Sequence, residues 1–369
     1  LVNKISFLYL TAFSKTGGIE QFNKNIIASL HQLNIESDII SVYDEQCVDY
    51  YSTPKTFKGF GGKKIKYLLS LLSFAKKYNV FIIGHINLAW PVYLIKILNP
   101  TAKIILIAHG VEVWEVQKKI SLWLLKTANF ILAVSNYTKS RLLNNNPSIE
   151  IDKIKILPNA VDPFFSYPTD FARPDYLLKR YNVKENEKIV LTIARLSSEE
   201  QYKGYDLVIN SLKKIINDGY VVKYLIVGKA DNIEFERINN LIVAKGLTES
   251  VILTGFIPLN ELVDHYLLAE IFVLPSSGEG FGIVFIEALA CGLKVIAGNK
   301  DGSVDALLNG KLGALVDPQN PLALSKEIIH SLNLKVHSNE IQLEMKKHFS
   351  FPVFKENVLR LFHEFKIID

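Results

Sequence analysis

What most constrains the fold of this chain is an alternation that repeats from one end to the other: a short apolar run, then a longer stretch with helical periodicity. Apolar runs without polar alternation read as strands buried on both faces. Helices between them imply parallel sheets covered on both sides. The first half supplies ISFLYL (5–10), VFIIGH (80–85), KIILIAH (103–109), FILAVS (130–135) and KIKILPN (153–159). Between the first two, Ile19, Phe22, Ile26, Leu30 and Leu33 recur every three or four residues, which predicts a helix over about 19–33 with one stripe on the sheet. A second series follows: KIVLTIAR (188–195), KYLIVG (223–228), SVILTGF (250–256), IFVLPS (271–276), KVIAGN (294–299) and GALVD (313–317).

The stretch 163–186, with Pro163, Pro168 and Pro174 among polar residues, reads as the linker between the two series. A chain of 369 residues exceeds one typical core and suits two domains, here 1–165 and 185–349. A last helix, FPVFKENVLRLFHEF, begins beside a proline. The most membrane-like segment, 80–98, contains His85, Asn87, Pro91 and Lys96, and reads as strand, turn and helix rather than a span. ISFLYL is short enough to be a first strand and not a signal segment, so a cytoplasmic protein is expected. Cys47 and Cys291 make neither a disulfide framework nor a metal-ligand pattern.

The net charge of +5 is uneven. Residues 1–165 carry 19 Lys plus Arg against 11 Asp plus Glu, a net of +8, and the remainder carries 23 against 26, a net of −3. Much of the excess lies in Lys55, Lys58, Lys63, Lys64, Lys66, Lys76 and Lys77, interleaved with aromatic residues such as Phe57, Phe60 and Tyr67. Such a stretch suits anionic lipid headgroups, and hence a peripheral place at the inner membrane surface, or a polyanionic acceptor; a solvated helix face explains it as well. Nucleic acid is not expected, since no helix-turn-helix, zinc or RNA-binding motif accompanies the charge.

The segment SSGEGFGIVFIEALACG, 276–292, carries the sharpest chemical signal. Glu279 and Glu287, seven residues apart, flank a glycine-bearing turn between a buried strand and a helix, which places Glu279 in the loop and Glu287 about two turns into the helix. One carboxylate can meet a sugar and the other a ribose. The backbone N–H groups around Gly280, Phe281, Gly282 and Ile283 form the positive end of that helix, a seat for a diphosphate. An ordinary strand–turn–helix corner with two unrelated acids is the competing explanation.

This segment resembles the E-x7-E signature of family 4 of the retaining glycosyltransferases, and the match includes the intervening residues. Weaker pieces extend it over most of the chain: GGIEQF (17–22), AHGVEVW (108–114), ILPNAVD (156–162), Arg195 and YKG (202–204). The resemblance implies an α/β chain of the GT-B fold, two Rossmann-like domains facing each other across a cleft. Residues 1–165 then bind acceptor, residues 185–349 bind the nucleotide-sugar donor, and the C-terminal helix, 350–369, packs back on the first domain.

Ligands of open parallel sheets bind at the carboxyl ends of their strands, where the remaining candidates fall. Gly17 and Gly18 follow the first strand and let backbone N–H groups approach a phosphate; a tight loop needing glycine for geometry alone is the alternative. They do not form the G-x-G-x-x-G pattern of a nicotinamide enzyme. His109 ends KIILIAH; the resemblance implies contact with the transferred sugar, and an isolated strand-end histidine is also common as a structural residue. Glu112 is expected to face the acceptor. Arg195 closes LTIAR and Lys203 opens the next helix; guanidinium and ammonium can stabilise the charge of a leaving nucleoside diphosphate. Their interval of eight positions is longer than the family's. NKDGSVDAL stands in place of the family's G-G-x-x-E loop, with Asp301 for the first glycine, then Gly302, and Asp305 for the glutamate.

No metal is expected, since no Asp-x-Asp triplet or His/Cys cluster occurs, and no cofactor beyond the nucleotide-diphosphate sugar as co-substrate. The expectation is a retaining hexosyltransferase in bacterial polysaccharide or glycolipid assembly, with a saccharide or lipid-linked saccharide as acceptor. Two rivals stay open: a nucleotide-sugar 2-epimerase on the same fold, and a non-catalytic sugar-nucleotide binding protein.

Overall fold

The computed structural model describes residues 4–52 and 55–368, and the ends of the expected domain ranges, 1–3 and 369, lie outside them. The chain forms two units: residues up to Phe164 together with those from Phe349 onward, and Phe165–His348.

The first unit is built on a seven-stranded parallel sheet of β1 (Ile5–Tyr9), β2 (Ser37–Ser41), β3 (Phe57–Gly59), β4 (Val80–Ile83), β5 (Lys103–Ala108), β6 (Phe130–Ala133) and β7 (Ile154–Ile156), ordered β3-β2-β1-β4-β5-β6-β7. The sequence predicts five of these strands. It misses β2, whose SDIIS holds two apolar residues among polar ones, and β3, three residues at the sheet edge. Polarity in β2 is used rather than exposed: Lys77 Nζ donates to Asp38 at 2.8 Å, Tyr78 donates to the same carboxylate, and Ser41 is fully buried.

The helix Gly18–Gln32 buries Phe22, Ile26 and Leu30 as its periodicity requires. The C-terminal helix Phe351–Glu364 packs against it, with Phe354 edge-on to Phe22 at 5.4 Å, and Phe365 stacks on Phe130 at 3.7 Å. Burial of such rings stabilises by roughly 1.5–3 kcal/mol each before entropy is counted.

The second unit carries a six-stranded parallel sheet: β8 (Lys188–Ile193), β9 (Val222–Val227), β10 (Val251–Gly255), β11 (Ile271–Leu274), β12 (Lys294–Gly298) and β13 (Ala314–Val316), ordered β10-β9-β8-β11-β12-β13. Within the stretch read as linker, Asp175–Arg180 is helical, and Arg180 pairs with Glu261 at 2.6 Å. Each sheet has one place where chain order reverses between neighbours, β1/β4 in the first and β8/β11 in the second. At such reversals consecutive connections leave on opposite faces and open a crevice at the carboxyl ends.

Candidate active site

The expected residues fall into two clusters, one in each unit, and both lie at those reversals. In the second unit Arg195 follows β8 and Glu279 follows β11. Lys203 does not open a helix as expected. It ends a 3₁₀ turn, Gln201–Lys203, because Gly204 at φ 79° breaks the path before the helix Tyr205–Asn217 begins. Ser277 N–H donates to the Tyr202 carbonyl at 3.0 Å, which lashes this turn to the β11 loop. Lys203 Nζ thereby lies 2.7 Å from Glu279 Oε1, both side chains nearly buried, and 3.9 Å from Glu200, which also accepts from the Arg195 guanidinium. Burial alone would depress the Lys203 pKa; the Glu279 carboxylate outweighs it, and the ammonium is held above its usual value.

Glu279 is fixed from behind. Its N–H donates to Asp301 Oδ2 at 2.7 Å and its carbonyl accepts from Gly302 N–H at 2.8 Å. The approach is close enough that a Cβ on Gly302 would sit 2.1 Å from the Gly280 oxygen. Asp301 also accepts from Ser303 N–H at 2.9 Å. Its burial, 1% exposed, is the largest influence on its pKa, which rises to about 6 against those hydrogen bonds. Asp305, in the short helix Ser303–Ala306, donates its N–H to the Gly302 carbonyl.

The helix carrying Glu287 runs Ile283–Ala290. It starts later than the sequence suggests because Gly282 takes φ 84°, so Glu287 stands little more than one turn in, not two. Tyr266, fully buried, donates to Glu287 Oε2 at 2.9 Å.

In the first unit Gly17 and Gly18 lie between β1 and the helix that opens at Gly18. A Cβ on Gly18 would meet nothing within 4 Å, so packing inside the unit does not demand glycine there. The loop before it is organised by Asp44, which accepts from the N–H groups of Ala12, Phe13 and Ser14 and from the hydroxyls of Thr11, Ser14 and Ser41. His109, just beyond β5, meets Phe22 edge-on at 5.2 Å and lies 2.9 Å from the Gly84 carbonyl through Nε2. A carbonyl only accepts, so Nε2 carries the proton and Nδ1 is the ring's acceptor. Burial lowers the His109 pKa to about 4, and the imidazole is neutral at pH 7. Glu112 Oε1 accepts the His109 backbone N–H at 2.6 Å. His85, beside Gly84, is likewise pushed down to about 4 by burial, and its ring lies 6.5 Å from that of His109.

Sequence reasoning did not find Glu200, Tyr266, Asp44 or a site role for His85. His85 had a usable signal, a polar residue closing an apolar strand run. Tyr266 had none, since its helical spacing matches that of a core aromatic.

Solved structures share this architecture along the whole chain. HepE (Alr3699) of Anabaena, crystallised with UDP, superposes with a TM-score of 0.78 at 17% identity over 98% of this chain and all of that one. A glycosyltransferase of Rickettsia africae superposes at 0.76 with 21% identity, covering 98% of both. Two Rossmann-like units of this kind place the chain in the GT-B class of folds. Residues 16–164 match the group described as Glycosyltransferase Family 4 and residues 177–348 match Glycosyl transferases group 1, so the chain belongs to the family 4 glycosyltransferases. Among curated relatives, the GDP-mannose-dependent alpha-(1-6)-phosphatidylinositol monomannoside mannosyltransferase of Mycolicibacterium smegmatis is 32% identical over 198 residues, 52% of this chain and 49% of that protein. The chain spans about half the length of the curated relatives it matches.

Proposed function

We propose that the protein is a retaining glycosyltransferase that moves a hexosyl group from a nucleotide-diphosphate sugar to a hydroxyl of a saccharide or lipid-linked saccharide, in bacterial polysaccharide or glycolipid assembly. The observation that carries the reading is the Lys203–Glu279 pair at 2.7 Å, placed with Arg195 at the β8/β11 reversal and backed by Glu287 on the next helix. Family membership supports it, as does the solved complex of HepE with UDP.

In this mechanism the diphosphate draws Lys203 away from Glu279, and the released carboxylate accepts hydrogen bonds from sugar hydroxyls. Glu287 accepts from the ribose. As the bond between the anomeric carbon and the phosphate oxygen breaks, negative charge grows on the leaving diphosphate, and Arg195 and Lys203 stabilise it without a metal. The acceptor hydroxyl bonds to the anomeric carbon on the face the phosphate leaves, so configuration is retained. Its proton passes to a departing phosphate oxygen. Neutral His109 serves as a contact to the sugar rather than a base, and Glu112 shapes the acceptor side through its bond to the His109 N–H.

Incubation with a panel of UDP- and GDP-sugars, with and without saccharide acceptors and with chelator present, tests the reading. Acceptor-dependent release of nucleoside diphosphate with an α-linked product from an α-linked donor is expected. Turnover that ignores acceptors favours a 2-epimerase, and binding without turnover favours a non-catalytic protein.

A further inference from the structure

Residues 50–111 contain nine lysines and no aspartate or glutamate, an acid-free run bracketed by Asp49 and Glu112. The helix Lys64–Phe74 in this run buries Tyr67 and Leu71, as a helix covering a sheet must. Its opposite side is not polar, however. Ile65 is 76% exposed, Leu69 61% and Leu72 54%, with Leu68 beside them, a second apolar stripe at helical spacing turned to solvent. A solvated helix face accounts for the lysines and leaves the exposed Ile and Leu side chains without a partner. The adjacent helix Ala89–Leu98 repeats the arrangement, exposing Trp90, Tyr93 and Ile97 at intervals of three and four. Tyr93 lies edge-on between Trp90 at 5.8 Å and Trp123 at 5.2 Å, which holds the aromatic end of the ridge in place. Lys63, Lys64, Lys66 and Lys76 are exposed on the same helix and at its ends.

We propose that this face docks the protein on an anionic lipid bilayer. Ile65, Leu69, Leu72, Trp90 and Ile97 enter the boundary between headgroups and acyl chains, Tyr93 stays at headgroup depth, and the lysines meet anionic headgroups. Two signals together, apolar insertion and a cationic patch, are what reversible peripheral binding requires. A second copy of the chain is a poorer occupant, since a two-fold interface would press two lysine-rich helix faces together with no acid in residues 50–111 to pair them. A soluble polyanion accounts for the lysines and leaves the aliphatic ridge without a partner. The corollary that the acceptor is a lipid-linked saccharide presented at the same surface rests on the transferase reading. Binding itself does not, so a negative vesicle result and a negative turnover result are distinguishable.

Co-sedimentation of the full chain with phosphatidylcholine vesicles, and with vesicles also containing phosphatidylglycerol, at low and physiological salt, tests the proposal. Wild type is expected on the anionic vesicles, about tenfold or more weaker on neutral ones, and weaker as salt rises. The triple change Lys63→Glu, Lys64→Glu and Lys66→Glu should remove the salt-sensitive part. The pair Leu69→Ser and Leu72→Ser should reduce binding at both salts by about tenfold. These side chains are exposed, and unchanged circular dichroism would confirm that the variants fold. Tryptophan emission should shift to the blue on binding in wild type and not in Trp90→Phe. Absence of binding to either vesicle, or wild-type affinity in both sets of variants, overturns the proposal. So does a dimer in light scattering that the Leu69 and Leu72 changes convert to monomer, which would make the ridge a contact between copies.

Discussion

Asp301→Asn isolates the group that fixes Glu279. The native carboxylate accepts Glu279 N–H on one oxygen and Ser303 N–H on the other, whereas Asn offers a single acceptor and turns an NH₂ toward one of the two donors. An orphaned buried N–H costs about 1–3 kcal/mol, while removing a desolvated charge returns a comparable amount, so the absolute change at one pH is not diagnostic. The pH dependence is. The folded pKa of Asp301 is raised from 3.8 to about 6, so this carboxyl stabilises most below the lower value and loses that contribution as pH rises through the upper one. With those two values its contribution is on the order of 1 kcal/mol at pH 5 and close to zero at pH 7. Wild type should therefore lose on the order of 1 kcal/mol relative to Asp301→Asn over that interval, all other groups cancelling between the two proteins. Urea unfolding followed by far-ultraviolet circular dichroism at several pH values measures the difference. Trp90, Trp114 and Trp123 all lie in the first unit, so tryptophan emission supplies an internal control that should not differ between the proteins where the units unfold separately. A difference that stays constant with pH, or that grows in favour of wild type toward pH 7, refutes the reasoning.

Further outcomes follow from the same geometry. Glu287→Ala should weaken nucleotide binding by about 1.5–3 kcal/mol, the worth of hydrogen bonds to a charged group, and equal affinity in calorimetry would remove Glu287 from the ribose role. Tyr266→Phe, which deletes the bond to Glu287 and the longer one to the Val284 carbonyl at 3.4 Å, should give a smaller loss in the same titration and little further loss in the Glu287→Ala background. Arg195→Ala should lower kcat more than it raises KM, because diphosphate charge grows toward the transition state; a raised KM with unchanged kcat would confine Arg195 to the ground state.

What the sequence made legible depended on how local the physics was. KIILIAH reads as a strand because β5 is buried on both faces, so its apolar run is continuous. SDIIS does not, since Asp38 and Ser41 owe their places to partners elsewhere: Tyr78 and Lys77 for one, Leu10 and Asp44 for the other. Asp44 itself is invisible in sequence, because the loop it organises lies some thirty positions upstream, and nothing around Val42–Gln46 announces six hydrogen bonds. Helix starts follow the same rule: the apolar run from Phe281 looks helical, and only the left-handed Gly282 delays the start to Ile283.

The candidate site was legible as separate residue types and not as a connected device. Arg195, Lys203, Glu279 and Glu287 could each be named, yet their sequence intervals do not say that Lys203 is already neutralised by Glu279 or that Glu200 holds Arg195. That pairing changes the chemistry to be explained. Two opposite charges, mostly withdrawn from water and 2.7 Å apart, offset part of each other's desolvation. On the proposed mechanism an incoming diphosphate brings its own charge to Lys203, and the carboxylate it displaces must find hydroxyl donors or remain buried and uncompensated. A donor with sugar hydroxyls within reach of Glu279 supplies them, and a bare nucleoside diphosphate does not. On that mechanism the ion pair would bias the site toward the intact donor over the leaving group, which is the direction turnover requires for product release.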